Sequence, residues 1–130
     1  MGDRSNIAII NGETLYCIFY GHWMGEDYKR ILKGAIDRGE RWDDPAYFAA
    51  IVARELFRDN LEESTGIGIS QTICDNEHPI LVADCSTQLV YFVEEKDFVR
   101  NEILPVNAIG GWTATFKDIK ESGFPVSTDL

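Results

Sequence analysis

The chain has 130 residues, 45% of them hydrophobic, with 3 Trp, 5 Tyr and 7 Phe. That is enough for one domain with a full core, and too apolar for disorder outside the last residues, Val126 to Leu130. No apolar run approaches the roughly 18 residues of a membrane helix, and the start Met1-Gly2-Asp3-Arg4 lacks the apolar stretch of an export signal. The net charge is −10 and lopsided, with ten acidic and eight basic residues in 1–59 against twelve and four in 60–130. Binding a phosphate backbone needs Lys and Arg clusters, which the second half lacks, so direct nucleic-acid binding there is not expected. An acidic half instead serves solubility or faces a basic partner. The three cysteines, Cys17, Cys74 and Cys85, are odd in number and irregularly spaced, as reduced thiols of a cytosolic protein would be.

The first strand is expected over Ser5 to Ile10, which is apolar and β-branched. Asn11-Gly12 follows, the strongest short signal for a hairpin with a type I′ turn. Thr14 to Tyr20 is apolar without alternation, as in a central strand covered on both faces. Gly21 ends it, and Gly21-His22-Trp23-Met24-Gly25 is an aromatic loop. After it, Tyr28, Ile31, Leu32, Ala35 and Ile36 fall on one helical face. Glu26 and Asp27 lie at that helix's start and Lys33 and Arg38 near its end, the order its dipole favours, with Gly39 as the stop.

Asp44 is a natural N-cap and Pro45 fits the first turn of a second helix running to about Arg58. Phe48, Ile51, Val52, Glu55 and Leu56 share one face of it. A polar connector, Asp59 to Gly66, leads to an alternating strand over Ile67 to Ile73. A loop holds Cys74 to Pro79. Ile80–Asp84 and Gln88–Val93 form a second hairpin. Glu94 to Arg100 reads as a charged loop or a helical turn. Pro105 and Gly110-Gly111 break the chain again. Trp112 to Phe116 has strand composition, yet Trp112, Phe116 and Ile119 also have helical spacing, and both readings stay open. The expected fold is a single α+β domain over residues 1–130: an antiparallel sheet built from two hairpins, with two helices packed on one face.

Chemistry is sparse. His22 precedes a helix N-terminus, where anions can bind, and Trp23 beside it can stack on a ring or pack on the core. Trp23 is expected to bury part of its ring, because it follows an apolar strand. Cys74, Asp75, Glu77, His78 and Cys85 match no zinc spacing, and no calcium loop is complete, so no metal and no cofactor is expected. Cys17 sits in an apolar strand and reads as inert. No GxSxG, P-loop or GxGxxG is present. No catalytic residue is assigned, and turnover is less favoured than binding.

Met1-Gly2-Asp3-Arg4-Ser5-Asn6-Ile7-Ala8, the Asn11-Gly12 hairpin and Tyr20-Gly21-His22-Trp23-Met24-Gly25 together resemble a group of small phage and prophage proteins. Those chains start like Met-Gly-Thr-Arg or Arg-Ser-Asn-Ile-Ala and later carry a Tyr, a His or Gln, then Trp-Asp-Gly. The resemblance spans the first quarter of the chain. Met24 stands where the group has Asp, and Glu26-Asp27 where it has Tyr-Pro. The resemblance brings no established activity. It implies a phage accessory gene, a kind that often encodes inhibitors of host defence.

The leading expectation is an accessory protein in the cytoplasm of a bacterial host that inhibits a defence component by binding, like an anti-CRISPR protein. Glu94, Glu95 and Asp97, the densest acidic cluster, would face the basic, nucleic-acid-binding surface of that host protein. A second expectation is a pocket for a nucleotide-like signalling molecule, with Trp23 stacking and Arg4, His22, Lys29 or Arg30 meeting phosphate. A third is a small hydrolase using His22 with a cysteine. Neither nucleic acid nor membrane is an expected partner, and a homodimer is left open.

Overall fold

The computed structural model describes residues 2–62 and 65–125. The tail at 126–130, expected to be disordered, lies outside the described residues. Strand β1 (Ser5–Asn11) pairs antiparallel with β2 (Thr14–Gly21). Asn11 pairs with Thr14, so the turn consists of Gly12 and Glu13, and only Gly12 has positive φ (65°). The hairpin forms where Asn-Gly predicts it. The turn is shifted by one residue from the expected I′ placement, which would need positive φ at both central positions. A bulge follows: Ile9 faces Cys17 but Ile10 faces Leu15, leaving Tyr16 as the extra residue.

Strand β3 (Ile67–Ser70) adds to the outer side of β2. Strands β4 (Ile80–Asp84) and β5 (Leu89–Val93) form the second hairpin, and the short β6 (Thr113–Thr115) closes that edge. The order is β3-β2-β1-β4-β5-β6, all antiparallel except β1 with β4. That parallel seam joins the two hairpins and makes β1 and β4 the centre, with every residue of β4 and Ser5 to Ile10 of β1 buried. The strand expected at the centre, β2, lies one place outward and is fully buried only in parts of its second half.

The α+β class holds. Helices α1 (Tyr28–Asp37) and α2 (Pro45–Arg58) pack on one face against Ile7, Ile9, Phe19, Leu81, Ala83 and Phe92. The buried face of α1 is the predicted one: Tyr28, Ile31, Leu32, Ala35 and Ile36. Asp44 caps α2 by accepting from the Tyr47 N–H, with Pro45 in the first turn. The opposite face carries Ala8, Ile10, Ile18, Val82, Tyr91 and Val93, covered by Phe98 of α3 (Glu95–Val99) and by Ile73, Ile103 and Ala108. This is why several strands are apolar on both sides. The open question at the C-terminal end resolves as both forms in succession. Strand β6 is followed at once by α4 (Phe116–Ser122), started by a capping box between Thr115 and Asp118. Among the described residues, no helix is long and apolar enough to cross a membrane.

Candidate functional site

The Gly21–Gly25 loop joins β2 to α1, and its backbone is tied on two sides. The Asp3 N–H donates to the His22 carbonyl at 2.8 Å, and the Gly25 N–H returns to the Asp3 carbonyl at 2.7 Å. On the other side the His22 N–H donates to the Gly66 carbonyl at 2.7 Å. The Ser5 hydroxyl donates to the Gly25 carbonyl at 2.9 Å. Gly25 has φ 45°, and a Cβ there would overlap the Asp3 carboxylate, so this position needs glycine on both counts. Asp3 is itself hydrogen-bonded to Nε2 of His78. Met24 turns inward and is buried. Loop and N-terminal arm thus form one hydrogen-bonded unit.

Trp23 takes no part in that packing. It is 70% exposed, so only the smaller part of the ring is buried, as its position after an apolar strand suggests. The inward place in the loop is taken by Met24, whose unbranched side chain reaches the core. The other two tryptophans pack: Trp42 donates from Nε1 to the Ile36 carbonyl at 3.2 Å, and Trp112 lies 5.7 Å from Phe92, ring to ring. His22 meets the Trp23 ring edge-on, centroids 5.0 Å apart, while its Nδ1 lies 3.3 Å from the Tyr20 hydroxyl. His22 is a prop for the indole.

Trp23 forms one wall of a cleft of about 420 Å³. Met24, Ile31, Leu56 and Ile67 supply apolar lining, and Asp27, Arg30 and Asp59 supply the charges. Arg30 spans the two acids, with Nη2 3.4 Å from Asp27 and Nη1 3.3 Å from Asp59. Of the five residues expected to bind, only Trp23 and Arg30 line this cleft. Arg4 is paired with Glu77 (3.4 Å), which also accepts from the Arg4 backbone N–H at 3.0 Å. Lys29 is paired with Glu26 at 2.8 Å, and its ammonium lies 5.6 Å from the centre of the Phe92 ring. Arg4, Lys29 and Arg30 therefore each already have a carboxylate partner, whereas His22, the fourth residue expected to meet phosphate, contacts Tyr20 and Trp23.

The acidic cluster lies elsewhere. Glu94 and Glu95 are exposed and Asp97 is half-buried, in and just before the first turn of α3, on the sheet face opposite α1 and α2. Beside them a groove of about 380 Å³ is lined by Leu15, Ile73, Glu95, Phe98, Val99 and Ile103. Val99, Leu104 and Val106, exposed by 69%, 52% and 83%, follow along the same segment.

Two groups of functional residues escape the sequence reading. Asp27 and Asp59 convert the cleft from cationic to net anionic. The spacing of Asp27 to Arg30 is a legible helical pair, whereas Asp59 arrives through the folding of α2 against α1. Buried Asp84 is the other: its Oδ1 accepts from the Gly12 N–H (3.0 Å), the Ser86 N–H (2.9 Å) and the Ser86 hydroxyl (2.9 Å), tying the two hairpin turns together. Burial raises the Cys17 thiol, and burial with Asp84 next to it pushes Cys85 up to about 12. Among the described residues, no group of three or more His, Cys, Asp or Glu side chains is placed to hold a metal ion. In comparisons with known proteins, no family model, no curated protein and no solved structure matches the chain.

Proposed function

We propose that the protein acts by binding, as a phage-type accessory protein that inhibits a host defence component in the bacterial cytoplasm. The surface we assign to the partner is the acidic end of α3: Glu94, Glu95 and Asp97. The observation that carries this reading is the composition of that surface. Glu95 lines an apolar groove, with Glu94 exposed next to it in sequence and paired with Lys96 at 3.3 Å, and with Val99 exposed in the same lining. Apolar surface next to like-charged groups fits a protein partner of opposite charge. A surface evolved to hold nucleic acid presents Lys and Arg, and carboxylates can take the positions of phosphates against them. The resemblance of the first quarter of the chain to phage accessory proteins supports the setting.

A nucleotide-like ligand is the second reading, favoured by the exposed Trp23 and by a cleft of suitable volume. The two carboxylates flanking Arg30 weigh against its phosphates. The test is affinity capture from host cells carrying defence systems, with the parent and with Glu94→Lys/Glu95→Lys/Asp97→Lys. A basic nucleic-acid-binding protein held by the parent and released by the variant supports the proposal. Equal capture by both refutes the assignment of the surface. A small molecule released by heat, with no protein partner, supports the second reading.

A further inference from the structure

The Trp23 cleft is a separate site from the α3 surface, and its chemistry points to a ligand of its own. Its loop is held by the four hydrogen bonds from Asp3, His22, Gly25 and Ser5, yet the largest side chain in it is left 70% exposed. A loop backbone fixed in that way loses little conformational entropy when a ligand covers the ring it presents. The choice of ligand follows from the charges. Two carboxylates share one guanidinium, so the lining charges leave the cleft net negative. Asp27 and Asp59 each use Oδ2 towards Arg30, and among the described residues neither Oδ1 has a hydrogen-bond partner. The cleft thus offers an aromatic face and two carboxylate oxygens, above an apolar floor of Ile31 and Leu56.

A phosphate would meet Asp27 and Asp59 before it displaced them from Arg30. A compact ammonium would gain the charge attraction but keep its strong hydration. A guanidinium satisfies every part: it is planar and weakly hydrated, stacks on indole, and donates in a fork to carboxylates. We propose that the Trp23 cleft binds a guanidinium group, stacked on the Trp23 indole and donating to the outer oxygens of Asp27 and Asp59. Arg30, paired with both carboxylates, competes for them. His22 is a positioning residue that fixes the ring.

The site is tested by nuclear magnetic resonance titration of the full chain, following the indole N–H of Trp23, assigned with Trp23→Phe. The probes are free L-arginine, N-acetyl-arginine methylamide, the matching lysine derivative and adenosine monophosphate. Either arginine probe should shift the Trp23 signal and saturate in the millimolar range, with lysine weaker. Tighter binding of free arginine marks a small-molecule site, and tighter binding of the blocked form marks a site for an arginine on a polypeptide. Asp27→Asn/Asp59→Asn should weaken binding by about tenfold, since two charge contacts at an exposed site are lost. Arg30→Gln removes the internal competitor and should tighten binding by about threefold. All these variants alter exposed pairs, and circular dichroism checks that they fold. Loss of binding in Arg30→Gln, a response to the adenylate and not to arginine, equal response to lysine and arginine, or no response at all would each overturn the proposal.

Discussion

Trp23→Ala separates a packing residue from a binding residue. Removing a fully buried tryptophan costs about 3–5 kcal/mol. Trp23 is 70% exposed, so less than a third of that contact is present. Scaling the cost gives about 1 kcal/mol, including the edge contact with His22. The loop backbone keeps its bonds to Asp3 and Gly66, because none of them involves the indole. For a chain of this size, 1 kcal/mol corresponds to a fall in Tm of roughly 3–5 °C. Urea denaturation followed by far-ultraviolet circular dichroism measures the change, and the arginine titration on the same sample measures binding. The expected result is a small stability loss with binding lost. A stability loss of about 3 kcal/mol or more would place the ring in the core and refute this account of the loop.

His22→Ala should leave Tm nearly unchanged while broadening the Trp23 indole signal and weakening arginine binding, because the ring loses its edge support. Gly34→Ala should lower Tm, against the usual gain of about 0.5–1 kcal/mol for alanine in a helix; a Cβ there would overlap Glu55 Oε1, which forms an ion pair with Arg58 at 2.9 Å and belongs to a buried side chain. A rise in Tm would show that this carboxylate can move aside. Alkaline titration should destabilise the fold. Burial, then Asp84, pushes Tyr91 and Cys85 up to about 12, and burial with Glu26 raises Tyr28 further, from ordinary values of 10.0 and 9.0. The unfolded chain therefore loses these protons first, and stability, intact below about pH 9, should fall as pH rises from there towards 12. A flat stability curve across that window would contradict the burial of these three groups. With a thiol reagent at neutral pH, Cys74 should react first and Cys85 only on unfolding; early labelling of Cys85 would contradict its burial.

Local signals carried most of the fold. The face of α1, the cap of α2 and the two hairpins depend on residues close in sequence, so periodicity and turn chemistry expose them. The parallel pairing of β1 with β4 depends on contacts more than 70 residues apart in sequence and leaves no local mark beyond strands apolar on both faces. The charge of the Trp23 cleft was hidden for the same reason. Trp23 and Arg30 are legible as ring and cation, but Asp59 reaches Arg30 only when α2 packs on α1, and it takes the site from neutral to negative. Which of Trp23 and Met24 turns inward was decided by the loop's path, held by Asp3 and Gly66, and not by hydrophobicity alone.

The proposed binding mode sets the carboxylates at the start of α3 against a partner surface that otherwise holds nucleic acid. The direct measurement is competition on the captured partner. The partner's own nucleic acid is titrated into the preformed complex at moderate salt, and release of the protein is followed by size-exclusion chromatography. Binding of protein and nucleic acid should be mutually exclusive, with the Glu94→Lys/Glu95→Lys/Asp97→Lys variant associating more slowly and with a smaller dependence on salt. A stable ternary complex of protein, partner and nucleic acid would contradict it.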